Sequence, residues 1–559
     1  MKALVTCLAV AGCASSAGTV PPVRFANAPI VRVVNDRRDV PRPPDRREFL
    51  PDLYFYEGSF ERPVTRALEL PRARRALGVN ALDEVPDSTW FTNRIGVREL
   101  APDEIYDGPT THDPSRYRPW TVHSTKIGGT TLGLIITDTR GIKYLLKFDR
   151  TGDPPELETA THVIVNRLLW ACGYNVTEDQ ILYIRPGDLV LADDAAIKAQ
   201  DGHDVQRLTQ AEVDQLLALV RHEPDGRIRT LASRWIDGKT LGGHPAEGVR
   251  DDDPNDRIRH ELRRDLRGQQ PIYAWLDAVD VTEGQFVDTW VADPADRSRH
   301  YVKHYAVDFG KSLGAMGAID HDWWRGHAYR IDFGDMLVSL ATLGVASRPW
   351  QEREAPPLRG VATLLDASKF DPGEWHPDTA GYTPFRTADR LDGFWGAKLI
   401  ARFTRTQLRT AVSAGKLSDP RAVRYIVDTL AARARVTAAY WFARTNPLDR
   451  FTVSGSPDDV RLCFDDLAID QELATGEATR YTITGFDFRA RPVGAPITVA
   501  ADGAHTCAPP LALAPAGDDD GYTMLRVTTE RPKFAGSTWV HLAREPGSGR
   551  PRVIGVWRP

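Results

Sequence analysis

The sequence predicts an α+β protein: a body that is β-rich over residues 116–237 and largely helical over 238–449, followed by a small all-β sandwich at 450–559. Three observations carry this reading. Between residues 119 and 148, three strand-like runs are separated by Gly128-Gly129-Thr130-Thr131-Leu132-Gly133 and by Arg140-Gly141, the punctuation of a strand meander. From about 245 onward, apolar residues recur at helical spacing. Beyond Arg450, short strand-like runs alternate with turns rich in Gly, Pro and Asp, such as Gly517-Asp518-Asp519-Asp520-Gly521, which is the texture of a sandwich.

Taken in order, Pro119–Ile127, Leu134–Asp138 and Ile142–Phe148 read as strands, with Lys147 near the end of the third. A helix follows from Pro154-Pro155-Glu156-Leu157-Glu158, its apolar positions Ala160, Val163, Ile164, Leu168 and Ala171, and it stops at Gly173. Ile181–Ile184 and Leu189–Leu191 are short strands. Thr209-Gln210-Ala211-Glu212 is a capping box, because each side chain can bond the other's backbone N–H. Arg227–Trp235 returns as a strand and runs into Asp237-Gly238-Lys239-Thr240-Leu241-Gly242-Gly243. Phe286–Val291 and His300–Phe309 form a hairpin about Asp293-Pro294-Ala295-Asp296. Leu391–Phe403 is an amphipathic helix with Trp395 on its apolar side, and Asp419-Pro420 opens another.

The hairpin carries the chemistry. Phosphoryl transfer needs a carboxylate that orients the attacking hydroxyl and oxygens that hold Mg²⁺ against the phosphates. Asp280, Gln285 five residues on, and Asp308-Phe309-Gly310 after the second strand stand in the order that kinases use. With the glycine-rich hairpin, the strand lysine and the helix glutamate, they resemble an atypical kinase-like fold of the HipA-type or CotH-type bacterial kinases, over residues 116–449. The resemblance implies a two-lobed kinase-like body and the cofactors ATP with Mg²⁺ or Mn²⁺. It implies Asp280 as base or orienting group, and Lys147 paired with a helix glutamate and touching phosphate. Glu158 is preferred to Glu156 because it lies further into the helix. Gln285 and Asp308 would hold the metal, with Asp288 a substitute ligand or a solvent-facing strand residue. Gly128, Gly129 and Gly133 would let backbone N–H groups approach phosphate, although hairpin glycines that need positive φ look the same.

Residues 237–243 would fall at the hinge, where glycines allow backbone contact with adenine, or form a plain surface loop. The chain departs from the family at two places. Ala278-Val279 stand where a His-Arg pair precedes the aspartate, and Gln285 stands for a metal-binding Asn. The extra methylene displaces the ligand oxygen by about one bond length, and Mg²⁺ is strict about geometry. A second triplet, Asp332-Phe333-Gly334, leads straight into an apolar helical run and reads as a turn before a helix, so Asp308 is preferred. The expected function is transfer of phosphate or nucleotide to a protein or small-molecule acceptor. The alternative is an inactive kinase-like scaffold that binds partners at the cell envelope.

A net charge of −5 and a pI near 6.3 leave no broad basic field for nucleic acid. Residues 1–11 form a short apolar run after Lys2, too short to span a bilayer and similar to an export signal. Val10-Ala11-Gly12-Cys13 resembles a bacterial lipobox, which implies a lipidated Cys13. With Ala14 next, this implies an envelope protein anchored at the outer membrane, facing the periplasm or the surface. Residues 14–50, rich in Pro and Arg, read as an extended tether. Residues 51–115 read as an irregular extension packed on the body, with Trp90 and Phe91 as packing anchors. Cys172 is expected to be a buried thiol, and Cys463 and Cys507 can pair in an oxidising compartment.

Overall fold

The computed structural model describes residues 21, 23–68, 74–127, 131–199, 204–315, 324–348, 356–362, 365–456, 459–517 and 519–559. The fold is mixed α+β, with one large sheet, a small central sheet and two further sheets at the C-terminus.

The large sheet holds β1 (Trp120–Thr125), β2 (Gly133–Thr137), β3 (Lys143–Phe148), β4 (Asp179–Ile184), β5 (Leu189–Lys198), β6 (Asp204–Arg207) and β7 (Ile228–Arg234), in the order β4-β7-β3-β2-β1-β5-β6. β3 lies between β2 and β7, and Lys147 pairs with Gly133 on one side and Leu231 on the other. One face packs Trp120, Ile136, Tyr144, Leu146 and Phe148 on Val213 and Leu217 of helix α2 (Gln210–Ala218). The cap of α2 is the expected box: Thr209 accepts from the Glu212 N–H, and Glu212 returns a bond of 2.7 Å.

Helix α1 (Leu157–Cys172) leaves the sheet after β3 and is almost wholly buried, because it packs between the sheet and the helical half. α3 (Gln269–Leu276), α4 (Phe333–Ala341), α5 (Arg390–Ala401), α6 (Arg405–Ala414) and α7 (Pro420–Phe442) follow. Ile164, Leu168, Trp275, Trp395, Leu408, Val412 and Ile426 share one core with Trp90, Phe91, Ile95 and Ile105. Val85, Trp90, Phe91, Ile95, Leu100 and Ile105 therefore anchor this segment in the body's interior, while Val97 stays exposed.

A small sheet joins β8 (Lys239–Thr240), which precedes α3, to β9 (Phe286–Ala292) and β10 (His300–Ala306), which follow it, in the order β10-β9-β8. It contains the expected hairpin, with His304 opposite Asp288.

The C-terminal strands are β11 (Leu448–Ser454), β12 (Arg461–Asp466), β13 (Arg480–Asp487), β14 (Pro492–Ala500), β15 (His505–Cys507), β16 (Thr523–Glu530), β17 (Gly536–Arg544) and β18 (Pro551–Trp557). They form the sheets β11-β12-β15 and β14-β13-β16-β17-β18. Leu462 and Phe464 of the first meet Ile483, Val527 and Val540 of the second in one apolar core.

The stretch expected as a free tether is extended, but residues 23–50 are laid along the protein. Phe25 N–H donates to the Tyr522 hydroxyl, Val34 N–H to Asp87 O, Val40 N–H to His300 O and Arg47 N–H to Leu241 O. The last three use backbone carbonyls of other segments as acceptors, and the first a buried tyrosine hydroxyl. Cys13 lies outside the described residues. No described helix is long and apolar enough to cross a membrane.

Candidate active site: a lysine and carboxylate cleft

The site begins with a cation in an apolar strand. Lys147 is 5 % exposed, and its Nζ lies 2.5 Å from Asp308 Oδ1, 161 residues later in the chain. Burial works against the ammonium, but the Asp308 charge in contact with it prevails and raises its pKa. Burial also works against the Asp308 carboxylate, and Lys147 and His162 outweigh it, holding that pKa well below the usual range. Asp308 follows β10 in the left-handed region, at φ 61°, a conformation aspartate tolerates better than most residues. The Val307 N–H donates to Gln285 O at 2.9 Å, which fixes Gln285 one residue from Asp308 across the sheet end.

Glu158 closes the cleft from the first turn of α1. It accepts from Thr131 Oγ1 at 2.5 Å and lies on Gly310, where an added Cβ would come within 3.0 Å of its Oε1. The expected Lys147–Glu158 pair is not formed within 4.0 Å, because Asp308 takes the ammonium instead. Glu156 is held elsewhere, by Arg359 at 2.8 Å and the Ser418 N–H at 2.9 Å. One further residue belongs to the cluster and was not foreseen. His162, one turn beyond Glu158, sets Nδ1 3.9 Å from Asp308 Oδ1 while Nε2 sits 2.9 Å from buried Asp179. The α-helical i, i+4 spacing from Glu158 was the signal for it.

On the other side, Asp280 pairs with Lys311 at 3.0 Å. Lys311 directly follows Gly310, so it ties Asp280 to the segment that carries Asp308. Lys126 completes the ring of charge; burial, and then Lys147, lower its pKa. Behind Asp280, burial first and Asp280 in addition push the Asp378 carboxyl up to about 6, despite its 2.8 Å pair with Arg325.

Several sequence expectations meet a different arrangement. Asp288 is not at this cleft. It is fully buried and holds His304 at 2.7 Å, with Arg250 at 3.5 Å and His244 at 3.7 Å. The strand's alternation turns it to the side opposite solvent, and Trp90 covers His304 at a ring separation of 3.4 Å. Gly133 is needed for packing, since a Cβ there would lie 2.4 Å from Leu146 O; Gly128 and Gly129 lie outside the described residues. The glycines of 237–243 are covered rather than open. Gly242 faces Arg47 O, and Leu241 already gives its N–H to Asp288 O and accepts from Arg47 N–H at 2.8 Å, so the Leu241 backbone is not open to an adenine edge. Asp332 caps α4, accepting from Asp335 N–H at 3.0 Å. Cys463 and Cys507 are joined by a disulfide, and Cys172 is a buried free thiol.

The donor set suits a hard divalent cation at one residue above all. Asp308 keeps 42 % of its side chain exposed, and its Oδ2 makes no hydrogen bond among the described residues. The cleft can therefore accept a cation at Asp308 and a polyanion at Lys147 and Lys126.

No family model matches the sequence, and no curated protein matches it. Among solved structures, the chain is similar to the crystal structure of a Rio2 kinase–ADP/Mg²⁺–phosphoaspartate complex from Chaetomium thermophilum. The match has 15% identity over 52% of this chain and 70% of that one, with a TM-score of 0.20. A TM-score that low assigns neither fold nor activity.

Proposed function

We infer that residues 116–449 form an atypical kinase-like body that binds a nucleotide with Mg²⁺ in the Lys147–Asp308 cleft. The observation that supports this is the 2.5 Å contact between Lys147 and Asp308, with Glu158 against Gly310, Asp280 on Lys311 and the Gln285 carbonyl on the Val307 N–H. In this reading Lys147 holds phosphate oxygens and Asp308, helped by Gln285, holds the cation. Asp280 orients the hydroxyl of a protein or small-molecule acceptor. The protein is anchored to the outer membrane through a lipidated Cys13.

A second reading, a kinase-like scaffold without turnover, draws on the hinge. The Leu241 backbone groups, which an adenine would use, are already bonded to Asp288 and Arg47.

Thermal unfolding with ATP, with and without Mg²⁺, separates the readings when wild type is compared with Asp308→Ala. A Mg²⁺-dependent shift present in wild type and absent in the variant supports the nucleotide site. Equal shifts remove Asp308 from it, and no shift in either favours the scaffold. Mass spectrometry of the N-terminal peptide from membranes, in wild type and Cys13→Ser, tests the anchor.

A further inference from the structure

We propose that Cys463, Cys507 and His505 form a zinc site that opens when the Cys463–Cys507 disulfide is reduced. The register of the small sheet produces it: β12 and β15 pair Cys463 with Cys507 and Asp465 with His505. Side chains two apart on a strand share a face, so all four project from one side. Leu462 and Phe464, on the other side, fill the module's core.

The His505 and Cys507 donors already stand at the spacing of a tetrahedral ion, and reduction frees the Cys463 sulfur to separate from Cys507 and join them. His505 Nε2 lies 3.6 Å from Cys507 Sγ. A nitrogen and a thiolate sulfur on one tetrahedral Zn²⁺, at the usual bond lengths, stand about 3.5 Å apart. One ligand atom from each of the three residues lies within 4.8 Å of the others. The imidazole is also held as zinc histidines are held. Its Nδ1 sits 2.6 Å from Asp465 Oδ1, and Asp465 is itself braced by Arg450 at 2.7 Å. A carboxylate on one ring nitrogen fixes the tautomer and leaves the other lone pair for the metal.

Cys463 is buried, and Ser454 Oγ lies 3.5 Å from its sulfur. Cys507 and His505 are exposed, so a fourth position faces water. Two thiolates and an imidazole select zinc over Mg²⁺ or Ca²⁺.

The chemistry balances with a phosphine reductant. The phosphine gives two electrons to the S–S bond and takes oxygen from water as phosphine oxide; the two water protons complete the thiols. Zn²⁺ then displaces both thiol protons on binding.

The test uses the full chain, oxidised or reduced with a phosphine, titrated with Co²⁺ as an optical probe and then with Zn²⁺. The reduced chain should show thiolate-to-cobalt absorption saturating at one equivalent and bleached by Zn²⁺, and the oxidised chain none. His505→Gln should abolish the tetrahedral d–d bands. Asp465→Asn, which touches no sulfur, should weaken Zn²⁺ binding about 10- to 100-fold. Absorption of equal strength in a Cys463→Ser/Cys507→Ser chain would place the metal elsewhere and overturn the assignment. Unchanged bands in His505→Gln, or no cobalt absorption in the reduced chain, would overturn it too.

Discussion

His162 stands between two carboxylates, with Nε2 2.9 Å from Asp179 Oδ2 and Nδ1 3.9 Å from Asp308 Oδ1. Asp179 is fully buried and also accepts from Asn166 and Thr177, so it cannot move toward the cleft. The imidazole therefore flanks Asp308 from behind at a distance longer than a hydrogen bond, in the place an outer partner of a metal ligand would take. Replacing it with Ala should weaken Mg²⁺ binding about tenfold, read as a larger Mg²⁺ concentration for half of the nucleotide-dependent thermal shift. An unchanged Mg²⁺ midpoint would make His162 a packing residue only.

The Lys147–Asp308 pair is asymmetric in exposure, 7% against 42% for the side chains. Removing the carboxylate leaves a buried ammonium without a partner, a change that costs about 3 kcal/mol. Removing the ammonium leaves a carboxylate that water can reach, so Lys147→Met should cost about 1 kcal/mol. Urea unfolding of Asp308→Asn and Lys147→Met measures the order. Equal losses would mean that the pair is solvated as a whole.

Acid should unfold the protein partly through His244. Burial pushes its pKa down to about 4 from an ordinary 6.5, so the fold holds it neutral while the unfolded chain takes up a proton first. Its contribution is present above about pH 6.5 and is lost as pH falls toward 4. Asp149, Asp378 and Asp392, each raised to about 6 chiefly by burial, act with the opposite sign. Their contribution is present at low pH and lost as pH rises through 6. The difference between wild type and His244→Asn isolates the histidine: the variant should lose less stability between pH 6.5 and 4. Parallel pH curves would exclude it.

Reduction of the disulfide opens a loop with a sequence separation of 44 residues, which should cost the C-terminal module up to about 4 kcal/mol by loop entropy. Unfolding monitored at Trp539 and Trp557 with and without a phosphine checks this. A change below about 1 kcal/mol would show that the two sheets hold the loop without it.

Much of the cleft was legible because its parts obey local rules. Lys147 is a charge in an apolar strand, Glu158 opens an apolar helix, and Asp308 ends a hairpin whose register the alternation fixes. What stayed hidden depends on distant partners. Nothing near Asp288 in sequence says that His244 and Arg250 will meet it. The path of residues 23–50 carries no periodicity, since its bonds to Asp87, His300, Leu241 and Tyr522 are made one at a time. The glycines of 237–243 read as accessible because the segment against them, at Arg47, lies 196 residues from Gly243 in the chain.

That segment also sets an orientation. Arg24 donates to Phe488 O, Asn27 to Arg544 O, and Arg552 to Asn27 Oδ1, so the chain reaches residue 23 against the C-terminal sandwich rather than beside the cleft. Ten residues of fully extended chain span at most about 36 Å. Were Cys13 lipidated as proposed, the sandwich would stand within that reach of the bilayer.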